Sequence, residues 1–208
     1  MILKAATYPW TRGSIKTEHL FRTLYCLALC TLCVGEQAFA DEYIEQYIRQ
    51  EVERAIDAPD NSTSIEVSQG IEVVFDALLS RLALYSDDID SIQFDHSGSP
   101  DQATLGIGSE RITTMENGRT LIQRIIIFEP PNRFAYFTDM ALSTVSVPID
   151  YSVGYYTFSE QPSGGTVANV SVAYKPSSRL TAFLVRLGFN RALSRDFKRA
   201  EEYLNSLD

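Results

Sequence analysis

The stretch Gly164-Gly165-Thr166-Val167-Ala168-Asn169-Val170-Ser171-Val172-Ala173-Tyr174-Lys175-Pro176-Ser177-Ser178, with the amphipathic segment 179–207 behind it, decides the architecture. Paired glycines favour a turn, because glycine reaches backbone conformations closed to other residues. Thr166 to Tyr174 then alternates, with Ala168, Val170, Val172 and Tyr174 on one parity, as a strand with an apolar inner face does. Ser177 or Ser178 is the expected N-cap of a helix. Beyond it Leu180, Phe183, Leu184, Leu187, Leu193, Phe197, Ala200, Leu204 and Leu207 share one side. About 28 residues give a helix ~42 Å long if straight, and Gly188 and Asn190 predict a bend near its middle. A sheet closed by one long helix is a way to build a hollow container.

Upstream the β signals continue. Ile107 to Met115 and Arg119 to Phe128 flank Asn117-Gly118, the strongest short-range hairpin signal. Pro130-Pro131-Asn132 turns into Arg133 to Met140, and the aromatic run Ile149 to Glu160 follows. Consecutive hairpins predict an antiparallel sheet of six or seven strands. Thr63 to Ser68 reads as the first strand, and Gly70 to Tyr85 as one or two short helices with Val73, Val74, Ala77, Leu78, Leu82 and Tyr85 on the apolar side. Ser86 to Gly106 is polar and acidic, with a short strand around Ile92 to Phe94. Residues 42–57 carry apolar side chains at helical spacing, although 51–56 also suits a strand. The fold class is therefore α+β, with two short helices after the first strand.

The N-terminus carries a different message. Leu24 to Val34 (LYCLALCTLCV) follows Lys16 and Arg22 and precedes Ala38-Phe39-Ala40. A basic flank, an apolar run and an A-x-A site are the parts of a secretory signal peptide, and the run is shorter than the ~20 residues a membrane-spanning helix needs. Residues 1–40 are thus read as a leader, 41–62 as an amphipathic helix and linker, and 63–208 as the main domain. An exported, periplasmic protein is expected. The alternatives are a membrane anchor, if the segment stays uncleaved, or a buried N-terminal helix. Loss of residues 1–40 removes four basic and two acidic residues and all three cysteines, so the net charge moves from −9 to −11. Such a balance argues against nucleic acid, whose phosphates are bound by basic patches. The basic residues of the last helix, Arg179, Arg186, Arg191, Arg195, Lys198 and Arg199, read as a solvated face or as a transient contact with lipid headgroups. Oligomeric state is not legible.

Catalytic equipment is sparse. Outside the leader the one histidine is His96, in a loop-like Asp95-His96-Ser97-Gly98 setting. Asp87-Asp88-Ile89-Asp90 lacks the glycine and terminal glutamate of a calcium loop, and no G-x-S-x-G elbow occurs. No metal ligand, cofactor or catalytic residue is assigned. Glu110, Arg111, Gln123, Arg124, Asp139 and Asp150 are polar groups on predicted strands, where outward-facing positions are ordinarily polar.

The ordered series Ile65-Glu66-Val67, Val74-Phe75-Asp76-Ala77-Leu78, Gly108-Ser109-Glu110-Arg111, Asn117-Gly118-Arg119-Thr120, Phe128-Glu129-Pro130-Pro131-Asn132-Arg133, Gly164-Gly165-Thr166-Val167 and Tyr174-Lys175-Pro176-Ser177-Ser178 resembles the START-like (SRPBCC) superfamily, in particular its polyketide cyclase/dehydrase and lipid transport group. The resemblance spans about residues 63–207. The acidic segment Ser86 to Gly98 departs from it, standing where relatives carry an aromatic stretch. It implies a helix-grip fold, a curved sheet wrapped around the long C-terminal helix, with a cavity that holds a lipid or other apolar molecule. Parity on the strand 166–174 makes Val170, Val172 and Tyr174 the expected lining, and the helix stripe adds Phe183, Leu184 and Leu187. Tyr136, Tyr151 and Tyr155 are expected there because their strands flank the space and a phenol supplies apolar bulk with a hydrogen bond. The expected function is that of a carrier for a hydrophobic small molecule. The alternative is a cyclase- or dehydratase-like enzyme, which requires a buried carboxylate or arginine beside a tyrosine. A third possibility, an adaptor, requires an exposed apolar stripe on the helix at 42–57.

Overall fold

The structure is a computed structural model that describes residues 45–162 and 164–207. The leader at 1–40 lies outside the described residues. Residues Ile48–Asp208 form one unit that contains every strand. Of the unit Met1–Tyr47 only 45–47 are described, as the first residues of helix α1 (45–57).

Seven antiparallel strands follow the hairpin signals: β1 (Asn61–Val67), β2 (Ile89–Asp95), β3 (Glu110–Met115), β4 (Thr120–Glu129), β5 (Arg133–Asp139), β6 (Ile149–Glu160) and β7 (Thr166–Pro176). Their order in the sheet is β1-β7-β6-β5-β4-β3-β2. Thus β2 to β7 meander by nearest-neighbour turns, and β1 pairs with the free edge of β7. Helix α2 (Ile71–Ser80) and a single 3-10 turn (Leu82–Leu84) fill the connection from β1 to β2, and α3 (Ala182–Asn205) ends the chain. The Asn117-Gly118 turn fixes the β3–β4 register, with Gly118 at a φ of 75°, the region glycine tolerates. Helix α3 starts later than the Ser177/Ser178 cap because β7 continues to Pro176; Thr181 precedes its first residue. Its hydrogen-bonded assignment runs without a break through Gly188 and Asn190.

Both faces of the sheet are covered. On the inner face Ile65, Val67, Val170, Val172, Phe134, Tyr156 and Phe158 pack with Val74, Phe75 and Leu78 of α2 and with Val185, Phe197, Ala200 and Leu204 of α3. Phe75 sits at the centre of this layer, 5.4 Å from the Phe134 ring and 5.2 Å from Phe158. Burying each such side chain contributes ~1.5–3 kcal/mol. On α2 the buried set includes Ile71, Phe75 and Leu79, whereas Val73 is exposed.

The outer face is covered by α1. Val52 and Ala55 pack against Ile126, Phe137, Val153, Tyr155 and Ala173. Arg54 fastens that helix, its Nη1 donating to Asp60 at 2.7 Å and its Nη2 to the Tyr174 carbonyl at 2.9 Å. The segment 51–56 is helical, not extended. Its apolar stripe faces the sheet, which removes the observation the adaptor reading required.

Candidate functional site

Between the inner face of β3–β6 and the middle of α3 the core is left unfilled. The cavity there measures about 270 Å³, just under the ~300–1,000 Å³ typical of small-molecule sites. Leu78, Leu82 and Tyr85 close it from the α2 side, and Met140, Val145 and Val147 from the β5–β6 connection. Helix α3 contributes Phe189, Ala192, Leu193, Asp196 and Phe197. The sheet contributes Arg111, Thr113, Gln123, Tyr136, Thr138, Ser152 and Tyr156 among others.

Those sheet residues form a buried polar row across four strands. Strand register sets Arg111 of β3 opposite Gln123 of β4, and Thr138 of β5 opposite Ser152 of β6. Arg111 is 1% exposed. Its Nε and Nη2 donate to Gln123 Oε1 at 3.0 and 2.7 Å, and its Nη1 donates to the Leu79 carbonyl at 3.0 Å. That carbonyl belongs to the last turn of α2, the negative end of the helix dipole. The Tyr136 ring lies 4.8 Å from the guanidinium carbon, within cation–π range. Arg111 therefore clamps the end of α2 to the sheet, yet among the described residues it forms no ion pair with a carboxylate.

The tyrosines are arranged by close packing. Tyr136 lies against Gly154, where an added Cβ would fall 2.6 Å from the ring, so only glycine admits it. Its hydroxyl is 3.3 Å from that of Tyr156. Burial raises the Tyr156 phenol well above its ordinary range, and Tyr136 adds to the effect while Arg111 opposes it. Burial likewise raises Tyr85. Both remain neutral near pH 7. Asp196, half-buried at the cavity edge, has its carboxyl raised by burial, against the pull of Arg195 at 3.0 Å. Thr113 Oγ1 is buried and meets no hydrogen-bond partner among the described residues.

The sequence-predicted lining divides into groups. Tyr136 borders the cavity. Val170, Val172 and Tyr174 occupy the inner face but belong to the filled core, with Tyr174 stacked 4.6 Å from Phe189 and donating to Asn61 at 2.9 Å. Tyr151 and Tyr155 point to the other face: Tyr151 stacks on Phe137 at 5.7 Å and Tyr155 packs in the layer under α1. Their neighbours Ser152 and Tyr156 take the cavity positions. Phe183 and Leu187 border a separate cleft with Pro59, Asp60, Asn61 and Ser62, and Leu184 is exposed. The cavity instead meets α3 from Phe189 onward.

Among the polar strand residues, Arg111 and Gln123 turn inward. Asp139 caps the turn after β5 by accepting from the Ala141 amide at 2.9 Å, and Asp150 pairs with Lys175 at 3.1 Å. His96 lies 3.1 Å from the buried hydroxyl of Ser109. Asp87 and Asp88 accept from α3, at 2.7 Å from Arg199 and 2.8 Å from Arg195. Missed from the sequence were Thr113, Ser152, Tyr156, Phe189 and Asp196.

No protein family matches the chain by sequence, and no curated protein matches it. Solved structures do. Ara h 8.0201 aligns with a TM-score of 0.55 at 15% identity, over 70% of this chain and 97% of that one. The protein XoxI from Bacillus cereus gives 0.53 at 16%, over 69% and 94%. Protein MLL2253 from Mesorhizobium loti gives 0.51 at 18%, over 71% and 99%. At such identities the likeness establishes the fold, and the fold is helix-grip.

Proposed function

We propose that this chain binds and carries a hydrophobic small molecule, lipid or lipid-like, in the cavity between the sheet and α3. The observation that carries this reading is the unfilled space itself, since protein cores are otherwise packed to the density of organic crystals. Its walls are apolar on the side of α3 and the β5–β6 connection, with a short polar row beneath. A ligand entering would gain ~25 cal/mol for each Å² of apolar surface removed from water, before ordering costs. The N-terminal leader pattern supports an exported, periplasmic carrier whose processed form starts near Asp41, with an uncleaved anchor as the alternative. Leu180, Phe183 and Leu184, 93%, 73% and 64% exposed beside Arg179 and Arg186, support loading and release at an anionic lipid surface.

One observation favours the enzymatic alternative: a buried arginine does stand beside tyrosines in the cavity. Proton transfer, however, needs a group that titrates near the working pH. Arginine does not, and the neutral Tyr156 is held above that range. Asp196 is the sole lining carboxylate among the described residues and already pairs with Arg195. Binding is the better-supported role.

Native mass spectrometry of the chain, purified gently from expressing cells, tests the proposal. A mass excess that vanishes on denaturation and matches an apolar metabolite is expected. A clean apo mass that persists after incubation with total lipid extract would count against it.

A further inference from the structure

The geometry points to a ligand with an acid head: we propose that the cavity selects a small monocarboxylate amphiphile, its carboxylate seated at Arg111 and Thr113. This rests on the binding role proposed above and adds the chemistry of the ligand.

Arg111 is a buried guanidinium in the cavity wall with no carboxylate partner among the described residues. Taking such a cation out of water costs several kcal/mol unless it is compensated. Gln123 is neutral, the Tyr136 face offers only a quadrupole, and the carbonyls of Leu78 and Leu79 supply the negative end of α2, equivalent to roughly half a charge. Part of the positive charge is left over. Asp196, the one carboxylate in the lining among the described residues, is paired with Arg195 and not with Arg111.

Hydrogen-bond accounting gives the same answer. The guanidinium carries five N–H donors. Gln123 Oε1 accepts two of them and the α2 carbonyls take those of Nη1, which leaves one Nη2–H with no acceptor among the described residues. Two residues along β3, on the same face, Thr113 Oγ1 is buried and unpartnered. An orphaned hydroxyl in a cavity wall costs ~1–3 kcal/mol. Two spare donors beside residual positive charge fit the two oxygens of one carboxylate. A dianionic phosphate would be poorly matched, since one partly compensated arginine cannot balance it. The walls supplied by α2, α3 and the β5–β6 connection are mostly apolar, and a cavity of about 270 Å³ leaves room for a medium-chain acid.

Isothermal titration with octanoate and with 1-octanol, which share a tail and differ at the head, tests this. The expected result is at least tenfold tighter binding of octanoate. Thr113→Val should reduce that preference severalfold and Arg111→Met should abolish it, with circular dichroism used to check that each variant is folded. Equal or tighter binding of 1-octanol to the unaltered protein would overturn the acid seat while leaving the apolar carrier intact. Failure of both compounds, together with a neutral fluorescent apolar probe, would overturn the carrier reading and this inference with it. The comparison on the unaltered chain decides the matter even if Arg111→Met fails to fold.

Discussion

At the scale of single residues, the cavity is defined by where polar groups were placed. Arg111 illustrates why it was hard to find. Arginine is almost never fully buried, and its neighbour Ile112, of opposite parity, is the residue a binary pattern would send inward. The usable signal was register. The Asn117-Gly118 turn pairs Thr114 with Thr120 and so sets Arg111 opposite Gln123, a long donor facing an amide. Asp196 carries a prediction of its own. Its carboxyl is raised by burial in the folded protein, so the native state holds that proton more tightly than the unfolded chain. Its contribution to stability is then greatest below the ordinary carboxylate range, near pH 3.9, and is lost as pH rises through the raised folded value. Asp196→Asn should therefore raise the urea midpoint at pH 7, and the gain should disappear as the pH is lowered toward 4. Arg195 keeps Asp88 as a partner in the variant. A midpoint lowered at pH 7 would show that the Arg195 pair outweighs the cost of burial.

At the scale of elements, hairpin signals were reliable and faces were not. The strands from β3 to β7 follow from alternation punctuated by Asn-Gly, Pro-Pro-Asn and Gly-Gly turns. On β6 both faces are covered: Val153 and Tyr155 lie under α1 while Ser152 and Tyr156 face the cavity. With both faces buried, parity says nothing about which one is inside. Membership of a flanking strand is the signal that points to Tyr151 and Tyr155, and it does not separate them from Ser152 and Tyr156. The stripe on α3 is uneven: its first turns lie at the β1 end with Phe183 and Leu184 exposed, and the cavity begins at Phe189. The acidic segment before β2 is tied to α3 through Asp87 and Asp88, although exposed pairs of this kind contribute ~0–1 kcal/mol. An exposed apolar turn flanked by arginines should adhere to anionic membranes. Flotation with vesicles of mixed phosphatidylcholine and phosphatidylglycerol should recover the protein, and Phe183→Ser with Leu184→Ser should reduce recovery severalfold. Equal recovery of the double variant would show that this end of α3 is not the contact.

At the scale of the whole molecule, a sheet is covered on one face by α1 and on the other by α2 and α3, and the inner layer stops short of filling its space. The packed half, centred on Phe75, Phe134 and Phe158, holds the fold; the unfilled half, under Phe189 to Phe197, is the proposed binding space. The helix-grip architecture was legible because its elements come in a fixed order. The position of the cavity along α3 was not, because it depends on where the helix crosses the sheet. The most direct measurement is a titration with the neutral fluorescent probe N-phenyl-1-naphthylamine, comparing the unaltered chain with Ala192→Trp, which fills the cavity from α3. Saturable one-to-one binding with a blue-shifted emission is expected, reduced at least tenfold by Ala192→Trp in a variant that remains folded. Absence of saturable binding, or binding of equal strength in the filled variant, would contradict the proposed binding role.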